Sequence, residues 1–125
     1  MILSLEVREP DLDAGQLDTL TRLLRQELLL LDVDKVTVDG ARQTPPGARG
    51  DPTAIGSLVM TLANSAVLVG VCQVLRAWQA RQQGRSFIMK LKDGRPVSLE
   101  IHGDNAAQHQ QLIDDFLAAI DPDRP

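Results

Sequence analysis

Few side chains in this sequence are of types that do chemistry, and the first is Cys72, its single cysteine. A thiol attacks as the thiolate. Gly70, Val71 and Val74 around it make an apolar setting that raises a thiol pKa, so Cys72 is read as inert core. One cysteine also allows neither an intramolecular disulfide nor a multi-cysteine metal centre, which fits a reducing compartment. The two histidines, His102 and His109, have no second ligand at metal-binding spacing, and both are expected at the surface. Asp114 and Asp115 are raw material for acid–base work, but adjacent residues on a helix project about 100° apart and do not face each other. No catalytic, cofactor or metal residue is assigned, and the chain is read as a non-enzyme.

Two segments carry binding chemistry. Arg76, Arg81, Arg85, Lys90, Lys92 and Arg95 contain only Asp93 as an opposing charge. They suit an acidic partner or lipid headgroups, or form the solvated side of a helix and hairpin. The loop Gly40 to Pro52 holds three prolines and three glycines, and within it Thr44-Pro45-Pro46-Gly47-Ala48-Arg49-Gly50-Asp51-Pro52 precedes an apolar segment. Glycines before a helix can cradle an anion, yet a phosphate-binding loop ends in Gly-Lys-Ser/Thr, and Asp51 repels a phosphate. The loop is read as a rigid entry, with Pro52 or Thr53 starting a helix and Asp51 favouring its positive end.

The elements that must position these groups follow from periodicity. Leu3, Leu5 and Val7 alternate with Ile2, Ser4 and Glu6 before Pro10, which predicts a half-buried strand. Leu17, Leu20, Leu24, Leu28 and Leu31 form one stripe of an amphipathic helix from Asp13, its N-cap, to about Leu30. Val36 and Val38 mark a second strand over Lys35 to Asp39. Phe87, Met89 and Leu91, then Asp93-Gly94, then Val97, Leu99 and Ile101 predict a hairpin. Leu112, Ile113, Phe116, Leu117 and Ile120 share one side of a last helix. The outward strand positions, among them Ser4, Glu6, Lys35, Thr37, Lys90, Ser98 and Glu100, make a solvated sheet face.

Between them, Pro52 to Leu75 is a run of twenty-four residues without a charge. It is read as a long apolar helix over 54–82. Ser57, Thr61 and Asn64 share a polar arc in its first half; beyond that, Leu68, Val71, Leu75 and Trp78 take over the same direction. About twenty apolar residues can cross a bilayer, and Trp78 with Arg76, Arg81 and Arg85 suits an interfacial anchor. A single crossing, however, would separate strands that must share one sheet, so a packed helix is preferred and membrane insertion is the alternative. The face Leu68, Val71, Leu75 and Trp78 is then covered either by another chain, including a copy of this one, or by the last helix. The small residues Gly56, Ala63, Ala66 and Gly70 suit close backbone approach.

The expected architecture is one α+β domain over residues 1–125. It is a two-layer sandwich of a four-stranded sheet with three helices on one face, in the order β-α-β-α-β-β-α. The 125 residues suit a single domain. A formal charge of −4, with no Tyr, one Trp and two Phe, argues against nucleic-acid binding, which needs a basic surface and stacking rings.

The leucine-rich first helix, the PPGARGD loop, the uncharged segment ending LRAWQARQ, the hairpin around DGRPVSLEI and the terminal QLIDDFL together resemble the small effector-associated constant component family of bacterial conflict systems. The loop followed by that helix ending is the specific part. The resemblance implies a non-enzymatic adaptor or regulatory component of a defence or programmed-death system. Its partners would be an effector such as a caspase-like or trypsin-like protease, a signalling NTPase, or both. The first ten residues, acidic and alternating like a strand rather than like a secretory signal, point to the cytoplasm, with a membrane surface kept open. Pro45, Pro46, Gly47, Arg49 and Gly50 match the loop pattern and Trp78 the aromatic at the helix end. With Leu68, Val71 and Leu75 they form the expected partner-binding set.

Overall fold

The computed structural model describes residues 1–43, 54–82, 84–94 and 96–120. Strand β1 (Ile2–Arg8) leads to helix α1 (Ala14–Leu28) and strand β2 (Lys35–Gln43). Strand β3 (Ala54–Thr61) and helix α2 (Ser65–Arg81) follow, then the hairpin β4 (Ser86–Leu91) and β5 (Ser98–Ile101). A short 3-10 turn, Gly103–Gln108, enters helix α3 (His109–Ile120). The class is α+β with three helices, as expected, but the sheet has five strands, in the order β2-β3-β1-β4-β5, with every neighbour antiparallel.

The fifth strand comes out of the uncharged run, which is not one helix over 54–82. Its first part alternates as β3: Gly56, Leu58 and Met60 stand opposite the inward Val7, Leu5 and Leu3 of β1, whereas Ile55, Ser57, Val59 and Thr61 turn to the open face. The β-branched Ile55, Val59 and Thr61 favour a strand. Asn64 ends the ambiguity. Its side chain accepts the Val67 N–H at 3.2 Å, so it is the N-cap that starts α2 at Ser65 rather than a polar passenger within a longer helix. Among the described residues no helix is long and apolar enough to cross a membrane, which removes the membrane-spanning alternative for this run.

Because β3 is antiparallel to both β1 and β2, those two strands are parallel to each other with β3 between them. The expected strand–helix–strand unit is therefore a split one. Helix α1 crosses over β3 to make the connection, and the crossing is close. A Cβ built on Gly56 would lie 2.1 Å from Thr21 Oγ1, so the glycine exists to let α1 down onto the sheet. The capping box between Asp13 and Gln16 fixes the start of α1, as the N-cap reading expected.

One core joins the inward strand residues to Leu17, Leu24 and Leu28 of α1, to Leu68, Val71, Cys72 and Leu75 of α2, and to Ile113, Phe116 and Leu117 of α3. The opposite sheet face has no described element over it and carries the exposed Lys90, Ser98 and Glu100.

Candidate functional site

The expected partner-binding set divides in two. Pro45, Pro46, Gly47, Arg49 and Gly50 lie outside the described residues. Leu68, Val71, Leu75 and Trp78 are brought together on one face of α2, but that face looks inward: the three aliphatic residues are fully buried and Trp78 is 6% exposed. Once the run is divided, α2 is short enough for its apolar stripe to be covered by β4, β5 and α3 of the same chain. The face expected to be open to another chain is thus covered within this one, as the alternative of cover by the last helix had it.

Trp78 has a polar handle that explains its position. Its indole N–H donates to Glu27 of α1, and the Arg85 guanidinium lies 5.3 Å from the ring centroid. Arg85 Nε donates to Glu9 Oε1 at 2.8 Å, and another of its nitrogens donates to the Trp78 carbonyl at 3.1 Å. The Arg85 and Glu9 side chains are only 13% and 7% exposed. Arg85 thus ties the end of β1 to the end of α2, and is not part of a solvated basic stripe. No local pattern signals this pairing, since the partners are 76 positions apart.

The groups with reactive chemistry are also committed to structure. Burial pushes the Cys72 thiol up to about 12, so at neutral pH it is un-ionised, in line with the sequence reading. His109 departs from that reading: it is buried, with Nε2 donating to the His102 carbonyl at 2.9 Å and to Asn105 Oδ1 at 2.7 Å. Asn105 in turn accepts the His102 N–H and donates to the Glu100 carbonyl. This network fastens the turn into α3 against β5. Among the described residues no cluster of three His, Cys, Asp or Glu is placed to hold a metal ion.

Among the described residues, two sheet edges have no strand beside them. On β1, the Met1–Leu62 and Ile2–Lys92 backbone bonds fix which residues face which neighbour. Alternation along the ladders then turns the N–H and C=O groups of Val36 and Val38 to the outer edge of β2, and those of Ser98 and Glu100 to the outer edge of β5. Each edge is partly closed by a side chain. Arg25 Nε donates to the Val36 carbonyl at 2.9 Å, and Asn105 to the Glu100 carbonyl at 2.9 Å. Free strand edges invite pairing, and covering them limits it.

Beside the β2 edge lies a groove of about 680 Å³, between α1 and β2. A smaller one of about 220 Å³ runs between β5 and α3. The wall of the larger groove is the helical stripe Arg22, Arg25, Gln26 and Leu29, and its floor is Lys35 to Val38. Arg22 and Arg25 lie off the buried stripe of α1. That they stand over an open strand follows only from the strand order.

Among solved structures, the chain is similar to LarC2, the C-terminal domain of a cyclometallase involved in the synthesis of the NPN cofactor of lactate racemase, in its apo form. The identity is 14% and the TM-score 0.35, with 98% of this chain and 97% of that one covered. No curated protein matches the sequence. A family model does match, over residues 9–119, from the end of β1 to the last turn of α3 and so across the split unit, the divided run and the hairpin alike. The chain belongs to the Effector Associated Constant Component 1 family.

Proposed function

We propose that this protein is a non-enzymatic adaptor of a bacterial conflict system, one that acts by binding an effector protein or the NTPase that signals to it. The observation that carries the reading is family membership over nearly the whole fold, since the family name places its members with an effector. The chemistry of the interior supports it. Cys72 is buried and un-ionised, and His109 is spent on holding a turn. The Glu9–Arg85 pair joins β1 to α2. Each of these groups has a structural task.

An adaptor of this kind works by surface complementarity, so its partner should copurify stoichiometrically and without turnover. The test is an affinity pull-down of the tagged protein from its native host, without detergent and read by mass spectrometry. Recovery of a caspase-like or trypsin-like protease, or of a signalling NTPase, supports the adaptor. Reproducible recovery of neither, from cells in which both are expressed, overturns it.

A further inference from the structure

We infer that the groove between α1 and β2 is a docking site for an extended, acidic peptide segment of the partner protein, which adds to the sheet as a strand beside β2. The inference rests on the adaptor reading for the identity of the partner, and on the groove itself for its chemistry.

The edge supplies the backbone half of the recognition. The outward N–H of Val36 and both outward groups of Val38 face the groove, and an incoming strand pairs with them as a sixth strand of the sheet. Arg25 already occupies the Val36 carbonyl. The pairing is therefore asymmetric: donors outnumber acceptors along the open edge, and a guanidinium stands at one end of it. This arrangement disfavours indiscriminate edge-to-edge association yet leaves a short pairing segment available.

The side chains supply the chemistry. Among the described lining residues, Arg22 and Arg25 on α1 and Lys35 on the edge strand are positive, and Asp34 is the one carboxylate. Arg22 Nε donates to Asp18 at 2.8 Å, but a guanidinium has five donors, so the rest of its fork remains for a ligand. In a chain whose formal charge is −4, this local excess of positive charge selects an acidic segment over a basic one. Leu29, 41% exposed at the end of α1, also lines the groove and offers an apolar contact to a side chain on the incoming strand. A strand that alternates acidic and apolar side chains matches this pattern, with its backbone on Val36 and Val38.

The test uses the whole protein and a fluorescent hexapeptide alternating glutamate and valine, with the same peptide carrying lysine for glutamate as its control. Binding is read by anisotropy at physiological salt. The glutamate peptide is expected to bind at least about tenfold more tightly than the lysine peptide. Val38→Pro removes one outward N–H, at an edge position where proline leaves the β2–β3 ladder intact, and is expected to weaken binding about tenfold. Lys35→Glu, a surface change, should do the same, and it keeps the test decisive if the proline variant does not fold. Equal binding of the two peptides, no binding by the wild-type protein, or unchanged binding by folded Val38→Pro and Lys35→Glu variants would each overturn the proposal. An effector captured equally well by wild type and both variants sinks the groove and leaves the adaptor reading standing. Peptide binding with no effector captured does the reverse.

Discussion

Replacing Gly56 by alanine distinguishes the strand described here from the helix that an uncharged run suggests, because the two predict opposite signs. In a helix interior, Gly→Ala stabilises by about 1 kcal/mol. In β3, the added methyl would sit 2.1 Å from Thr21 Oγ1, 3.3 Å from Thr21 Cβ and 3.5 Å from Leu17 Cγ. Turning Thr21 about χ1 gives little relief. Its branched carbon carries a methyl as well as the hydroxyl, and the hydroxyl is held by the Leu17 carbonyl at 2.7 Å. Helix α1 must therefore lift from the sheet by roughly an ångström, an overpacking that typically costs about 1–3 kcal/mol. Against this, alanine restricts the unfolded chain and returns about 0.4–1 kcal/mol. The expected net is a loss of about 1–2 kcal/mol, seen as a lower urea midpoint at unchanged slope. Thr21→Ala removes the obstacle, so the double variant should recover most of that loss, with a coupling of at least about 1 kcal/mol in the cycle. A Gly56→Ala protein as stable as wild type, or a cycle without coupling, would refute the close crossing of α1 over β3.

Leu68→Ala should lower stability by about 2–5 kcal/mol. Leu68→Asp, which adds a carboxylate to the core, should leave the chain unfolded by far-UV circular dichroism; a folded Leu68→Asp protein would mean that this face of α2 is exposed after all. Arg85→Met strands Glu9 in a nearly closed site and is expected to cost about 3–5 kcal/mol. Less than about 1 kcal/mol in urea unfolding would show that the pair holds nothing together. Cys72 gives a pH dependence. Its folded pKa, about 12, lies above the ordinary 9.0, so the folded state keeps a proton that the unfolded state releases. The contribution of Cys72 is full below about pH 9 and falls away as the pH rises towards about 12. With no tyrosine in the chain to titrate there, Cys72→Ala should flatten that part of the stability profile. An unchanged slope, or rapid labelling of native Cys72 by a thiol reagent at pH 8, would contradict the burial.

The division between what could be read in the sequence and what could not follows the range of the interactions involved. Strand β1, helix α1 with its Asp13 cap, the hairpin at Asp93-Gly94 and the stripe of α3 are all fixed by residues within a few positions of one another, and each was legible. The run from Pro52 to Leu75 was not, because a missing charge marks burial without marking period. Gly56 read as a helical small residue and Asn64 as part of a polar arc. The first is a gap for Thr21, 35 positions earlier in the chain, and the second is the cap that begins α2. That one division has consequences beyond itself. It turns a four-stranded sheet into five and inserts β3 between β1 and β2. It also shortens α2 until its apolar face is covered from within. The face expected to bind a partner thereby becomes core, and β2 is left at the edge of the sheet under Arg22 and Arg25. No local pattern states that a strand is an edge, since edge position is a property of the strand order, and the docking groove could not be located until that order was known.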